Sequence, residues 1–149
     1  MEQIEYRLIE RGDEPSLMKL IIELAIFERE PQAVVISEAD LTQALFEKKI
    51  CYGWVAHLNS ECVGMAICYT RFSTWKGECS FLEDLVVAQE HRGKGIGKAL
   101  LQRVLAYAKQ NNQAYTMWQV LDWNEGAIEF YKKMGAEFET EWLNVKHYV

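Results

Sequence analysis

Two adjacent carboxylates, Glu83 and Asp84, sit inside the apolar run FLEDLVV at 81–87. A loop rich in glycine and basic residues follows, Arg92-Gly93-Lys94-Gly95-Ile96-Gly97-Lys98, and a helical pattern begins directly after it. Strand, glycine-rich turn and helix N-terminus together hold a phosphate or pyrophosphate on backbone N–H groups. The glycines let the backbone approach phosphate oxygens closely, and Arg92, Lys94 and Lys98 add positive charge at the mouth. The spacing is GxGxG, so the dinucleotide fingerprint GxGxxG is not present. An ordinary tight turn with a solvated basic face is the other reading of the loop.

Acids on the strand before the loop suggest chemistry on something cationic. A charged residue in a central strand is costly unless it is paired or functional. Strict alternation sends Glu83 with Phe81, Leu85 and Val87 to one face, and Asp84 with Leu82 and Val86 to the other. A bulge would bring both acids to one cleft, because bulges re-aim side chains beside active sites. Otherwise one acid faces solvent or forms an ion pair. A third segment, Trp123 to Ala136 (WNEGAIEFYKKMGA), places Tyr131 near the end of an amphipathic helix. Its phenol can give a proton to a leaving group, although a tyrosine in that position also serves as a core residue with a tethered hydroxyl.

The elements that position these groups follow from pattern. Ile4, Tyr6 and Leu8 alternate as a first strand. Asp13 caps a helix with Pro15 in its first turn, Leu17, Leu20, Ile21, Leu24 and Phe27 form its apolar face, and Pro31 stops it. Ser37 and Asp40 resemble a capping box for a second helix to about Lys48. Strands are predicted over about 51–58, 62–71 and 78–88, the first two joined by an Asn59-Ser60 turn. A long helix runs from about Gly95 to Gln110 and ends at Asn111-Asn112. Tyr115 to Leu121 is a further strand. Asn124 caps a short helix that ends near Gly135, and Phe138 to Tyr148 is predicted as a final hairpin or bent strand. The order is that of a mixed α/β domain with one central sheet.

The 149 residues fit one domain, and half of them are hydrophobic, enough for one full core. A formal charge of −6 disfavours nucleic-acid partners and is compatible with attracting a cationic small molecule. No apolar run is long enough to span a membrane, and the start MEQIEYRLIE lacks the apolar stretch of a signal peptide. Cys51, Cys62, Cys68 and Cys79 form no CxxC and lie near no histidine at zinc-ligand spacing. They are read as reduced, mostly buried thiols of a cytoplasmic protein, and no metal is implied. His57, His91 and His147 look incidental, with His91 bordering the phosphate loop.

The motifs resemble those of the GNAT superfamily of acetyl-CoA-dependent N-acetyltransferases. The pattern Q/R-x-x-G-x-G/A stands here as Arg92-x-x-Gly95-x-Gly97, and N-x-x-A-x-x-F-Y-x-x-x-G-A/F as Asn124 through Ala136. A closer resemblance, to the spermidine/spermine (diamine) and thialysine N-acetyltransferase branch, extends over roughly Ile4 to Tyr148. It is carried by ELAIFE at 23–28, SEADL at 37–41, the Trp75-x-Gly77 loop, FLEDLVV, RGKGIG and WNEGAIEFYKKMGA. Two departures stand out: a shorter loop between the second and third strands, and Leu143 after Trp142, where the polyamine enzymes typically carry a basic residue.

The resemblance implies an α/β GNAT fold over 1–149, with a mixed central sheet of six to seven strands flanked by about four helices. It implies direct transfer of acetyl from acetyl-CoA to the primary amine of a small polycationic or diamine-like acceptor. The cofactor would rest on Gly93, Lys94, Gly95, Ile96, Gly97 and Lys98 beside Arg92. Its pantetheine would pair along Leu85, Val86 and Val87, with Asn124, Ala127, Tyr131 and Lys133 nearby. Glu83 would be the base, acting through water, and Tyr131 the acid. Phe27, Glu28, Trp75, Glu83, Asp84, Gln119 and Trp142 would bind the acceptor. A homodimer is implied as well. Transfer to a protein or peptide amine, and a catalytically weak acetyl-CoA-binding module, are the alternatives.

Overall fold

Five strands form one sheet in a computed structural model that describes residues 2–149. They are β1 (Ile4–Leu8), β2 (Tyr52–Leu58), β3 (Glu61–Ser73), β4 (Gly77–Val87) and β5 (Thr116–Trp118), in the order β1-β2-β3-β4-β5. The first four run antiparallel to their neighbours, and β5 joins β4 in parallel. The helices are α1 (Glu14–Phe27), α2 (Glu38–Thr42, continued by a π-turn over Gln43–Glu47), α3 (Ile96–Gln110) and α4 (Glu125–Lys133). The chain divides into two compact units, the first ending at Gln119 and the second Val120–Val149.

In the first unit, Leu17 and Leu20 of α1 and Leu41 and Leu45 of the second helical segment bury against Val55, Met65, Ile67 and Val86 of the sheet. A fully buried leucine of this kind contributes about 1.5–3 kcal/mol. The other face receives α3, whose Ile96, Leu100, Leu101 and Val104 are almost completely buried. Gly64 makes that approach possible: a Cβ there would lie 3.2 Å from the side chains of both Ile96 and Leu100. The start of α3, and with it the glycine-rich loop, is therefore pressed onto β3.

The local signals act mostly as expected. Asn59 and Ser60 both take positive φ in a two-residue turn, with Leu58 opposite Glu61, which is the hairpin geometry that matches strand twist. Ser37 and Asp40 form the reciprocal capping box. Asn112 adopts φ 55 after α3, and Gln113 N–H returns to the Ala108 carbonyl.

The ends of α1 differ from expectation. Asp13 stands at the N-cap, but its carboxylate takes the Arg7 guanidinium at 2.8 and 2.9 Å and the Glu10 N–H at 2.8 Å instead of capping the helix. Pro31 does not stop it. Arg29, with φ 65, turns the chain two residues earlier, and Glu30 N–H closes onto the Ala25 carbonyl in a left-handed C-terminal motif.

Among the described residues the sheet has five strands instead of six to seven; the difference is the hairpin or bent strand predicted over Phe138 to Tyr148, and one further strand is shorter than predicted. The strand predicted over 115–121 is only Thr116–Trp118; it pairs with Ser80 to Leu82 and its pairing ends where the β4 bulge at Glu83 begins. Phe138 to Tyr148 forms no strand; Leu143 and Val145 are almost fully exposed, and among the described residues no backbone ladder pairs this stretch. In this second unit α4 keeps its predicted ends. The Asn124 side-chain oxygen Oδ1 accepts from Ala127 N–H, and Gly135 at φ 83 completes a closure in which Ala136 N–H reaches the Tyr131 carbonyl.

Candidate functional site

The site in the first unit is built around an irregularity in β4. Ile67 of β3 faces Asp84 while the next residue, Cys68, faces Leu82, so Glu83 is the extra residue of a bulge. The bulge changes the phase of the strand. Before it, Phe81 stacks on Tyr69 at 5.1 Å between ring centroids. After it, Asp84 shares the face of Val86, which packs against α1 and α2. Simple alternation would have separated the two acids, whereas the bulge leaves Glu83 exposed and Asp84 half-buried beside it.

Glu28 joins them from the C-cap of α1. The end of that helix is tied to the β4–α3 connection twice. Glu23 accepts from Gln89 N–H at 2.8 Å, and the Arg92 guanidinium lies over the Phe27 ring at 5.2 Å. The electrostatics show the convergence. Burial pushes the Asp84 carboxyl up to about 6, and the charges of Glu83 and Glu28 add to the rise. Burial also raises the Glu28 carboxyl. The half-buried Cys51 thiol is raised first by burial and then by Glu83 and Asp84, and the Tyr69 phenol by burial and then by Glu83. Cys51 and Tyr69 thus border the acids. Neither stands out in the sequence, because their placement depends on strand register.

Beside the acids, the edge of β4 opens. β5 pairs only with Ser80 to Leu82, so from Glu83 to Val87 that edge has no strand partner among the described residues. An extended chain bearing amides, such as a pantetheine arm, can add there like a strand. The loop beyond it fits a pyrophosphate. Gly93 and Gly95 hold φ 78 and 80, Gly95 is the N-cap of the fifteen-residue α3, and no backbone acceptor takes the N–H groups of Gly93 to Lys98 among the described residues. The Ile96 side chain is buried and anchors the turn, so its contribution to an anion is its N–H. Lys94 and Lys98 are exposed at the mouth. Arg92 is engaged differently from the simple expectation, its Nε donating to the Val87 carbonyl at 3.1 Å while it covers Phe27. It braces the loop against α1.

No added Cβ at Gly95 would meet another atom within 4 Å, so only its φ of +80 resists a side chain. Gly95→Ala is expected to cost about 1 kcal/mol of stability and to weaken acetyl-CoA binding several-fold by distorting the N–H cradle. Calorimetric titration beside a urea unfolding curve checks both, and unchanged affinity would remove the loop from the cofactor site.

Other predicted site residues are dispersed. Gln119 directly follows Trp118, the register partner of Leu82, and so stands where β5 leaves β4, level with the bulge. Trp75 is at the exposed tip of the β3–β4 hairpin, roughly 20 Å along the strand from Glu83 at about 3.3 Å per residue. Within one chain, therefore, Trp75 does not join the acids, because β3 and β4 extend farther than a short connecting loop implies. In the second unit, Asn124 uses its side-chain oxygen as the α4 cap, and Ala127 supplies the N–H it binds. Tyr131 is buried on α4, Lys133 is the last residue of that helix, and Trp142 lies exposed in the segment without strands. Glu61, Glu90 and His91 bring ligand-type atoms within 4.8 Å of one another. They are largely open to solvent, and the Lys94 ammonium, 3.5 Å from His91 Nδ1, competes with any cation there.

The acetyltransferase (GNAT) family model matches residues 16–136, across the glycine-rich loop and the Asn124–Ala136 segment. The chain belongs to this family. A GNAT protein takes its acetyl group from acetyl-CoA, and the loop and the open β4 edge suit that donor. The chain is 35% identical over 150 residues to a thialysine N-epsilon-acetyltransferase of Bos taurus, covering 95% of this chain and 88% of the relative. It is 31% identical over 144 residues to the spermidine/spermine N(1)-acetyltransferase-like protein 1 of Homo sapiens, covering 91% of this chain and 21% of that longer one. Among solved structures, an aminoglycoside acetyltransferase from an uncultured soil metagenomic sample, in complex with trehalose, superposes with a TM-score of 0.80. At 20% identity, with 98% of this chain and 96% of that one covered, the similarity is one of fold. The family resemblance and the enzyme class read from the sequence are thus confirmed.

Proposed function

We propose that this GNAT enzyme transfers acetyl from acetyl-CoA to a primary amine of a small acceptor bearing a second positive charge, of the diamine or thialysine-like kind. The observation that carries the reading is the convergence of Glu28, Glu83 and Asp84 at the point where the β4 edge opens. Three carboxylates in one place attract an ammonium and hold a second one near it. The similarity to thialysine and spermidine/spermine acetyltransferases supports the same acceptor class.

When bound, acetyl-CoA supplies the acetyl thioester. An alkyl amine with a pKa near ~10.4 reaches the site protonated and must lose a proton to attack. Glu83, exposed at the bulge, is assigned as the acceptor of that proton through water. Asp84 adds a carboxyl that titrates at about 6 and so stands close to neutral pH, where proton transfer is most effective. Backbone N–H near Val87 is assigned to polarise the thioester carbonyl. The Tyr131 hydroxyl is assigned as proton donor to the leaving sulfur. A cytoplasmic homodimer completes the reading, on the strength of the branch resemblance and of helices none of which is long and apolar enough to cross a membrane among the described residues.

CoA release measured against spermidine, spermine, putrescine, thialysine, lysine and a histone-tail peptide tests the proposal. A small amine with a second charge is expected to turn over best, and a Glu28→Gln/Asp84→Asn double variant is expected to lose at least ~10²-fold in kcat/KM. Turnover of the peptide alone would instead make this a protein acetyltransferase. Acetyl-CoA binding without turnover of any amine would make it a binding module.

A further inference from the structure

Glu23 of the ELAIFE segment has no part in the chemistry assigned above, yet it joins the acceptor side of the site to the donor side. α1 packs on the core through Leu17, Leu20, Ile21 and Leu24. Beyond Leu24 the helix leaves the core, and Ile26 and Phe27 are exposed. Burial therefore fixes the body of α1 and does not fix its last turn, which carries Glu28 at the C-cap. The chain then turns away at once, through Arg29 at φ 65.

The connection from β4 to α3 is held by the sheet instead. Ala88 N–H donates to the Val63 carbonyl of β3 at 2.8 Å, and the Arg92 Nε donates to the Val87 carbonyl at 3.1 Å. These bonds anchor both ends of the single 3₁₀ turn Gln89–His91. Gln89 opens that turn, so its N–H has no acceptor within it. Glu23 Oε1 accepts it at 2.8 Å. Glu23 and Phe27 stand one turn apart and share a face of α1, and the Arg92 guanidinium covers the Phe27 ring from the same connection. The sheet thus fixes the connection, and the connection fixes the end of the helix. Of the two contacts the hydrogen bond is the more directional, because it weakens steeply when bent. It is also exposed, so water can take the Gln89 N–H if Glu23 is removed, and the bond contributes little to folding.

Resting on the acetyltransferase reading above, we infer that Glu23 is a positioning residue: its bond to Gln89 N–H holds Glu28 in place beside Asp84 and Glu83 for the acceptor ammonium. Steady-state kinetics of the full chain with thialysine and with spermidine test this. Glu23→Ala is expected to raise the acceptor KM about 10-fold while kcat stays within about 3-fold. Its acetyl-CoA affinity, measured by calorimetry, is expected to stay within about 2-fold, because the connection keeps both of its bonds to the sheet. Glu23→Gln is expected to restore the native KM, since its amide oxygen still accepts the N–H although the charge is gone. The urea midpoints of the three proteins are expected to coincide. An unchanged KM in Glu23→Ala would overturn the inference, and so would a rise in KM matched by a lower urea midpoint, which marks a merely structural role. Glu23→Gln as impaired as Glu23→Ala would overturn it as well, because the charge and not the bond would then be at work. In each of these cases turnover by the native enzyme leaves the acetyltransferase reading standing. If the native enzyme acetylates neither amine, the inference falls together with the small-amine reading.

Discussion

Tyr131→Phe is expected to lower kcat by about 10²-fold or more while leaving acetyl-CoA affinity within about 2-fold. General acid catalysis contributes on the order of 10²–10⁴-fold, and the substitution removes one oxygen only. The ring stays where the helix holds it, because α4 is fixed at both ends by features that do not involve the hydroxyl. Asn124 caps the start, and the Gly135 turn closes the end onto Tyr131's own carbonyl. The ring also lies 5.4 Å from that of Phe130. A structural role alone would reduce stability and cofactor affinity together; a proton-donor role reduces kcat and shifts the high-pH limb of the rate profile. Single-turnover rates at saturating donor and acceptor, measured across pH, separate the two. An unchanged rate under those conditions would remove Tyr131 from the chemistry.

The parts of this enzyme that were legible in the sequence are those fixed by local chemistry. Asn59-Ser60, Ser37/Asp40, Asn112, Asn124 and Gly135 each define a turn or helix end through one residue's own backbone preference or side-chain oxygen. The glycine-rich loop is legible for the same reason: positive φ at Gly93 and Gly95 is written into the residue type. The bulge is a half-step harder. FLEDLVV shows that strict alternation would misplace an acid, but only the pairing of Ile67 with Asp84 and Cys68 with Leu82 locates the extra residue at Glu83.

What was not legible depends on partners distant in sequence. Cys51 and Tyr69 come beside the acids only through strand register. The pairing of β5 ends where the β4 bulge begins, and Asp13 leaves its helix N-terminus for Arg7 on the neighbouring strand. Trp75 looks like an acceptor residue by motif, yet the length of its own hairpin carries it from the acids.

Asp84→Asn is expected to stabilise the protein by about 2–3 kcal/mol at pH 7.5 while removing most of its activity. The carboxyl has an ordinary value of 3.8 and is raised to about 6 in the folded chain, chiefly by burial and then by Glu83 and Glu28. Each unit corresponds to about 1.4 kcal/mol between the two protonation states. The direction follows from which state binds the proton more tightly. Well below the ordinary value of 3.8 the group is neutral in both folded and unfolded chains and imposes no penalty. As pH rises from there the unfolded chain ionises first, so folding stability falls, and the loss is complete once pH exceeds about 6.

An asparagine keeps the shape and carries no charge, so the stability gain of the variant should be large at pH 7.5 and several-fold smaller at pH 4. Urea unfolding of both proteins at the two pH values measures this. Equal stability differences at both, or a variant less stable than the native enzyme at pH 7.5, would show that Asp84 is satisfied by neighbours and not strained by burial. The expected result has a functional meaning. A sheet under no demand for chemistry would place a neutral side chain opposite Ile67, so the charge at that position is a stability cost, which under the proposed function the binding of an amine would offset. An acceptor ammonium bound there should therefore return much of that stability, since a cation beside the three carboxylates lowers the Asp84 carboxyl toward its ordinary range.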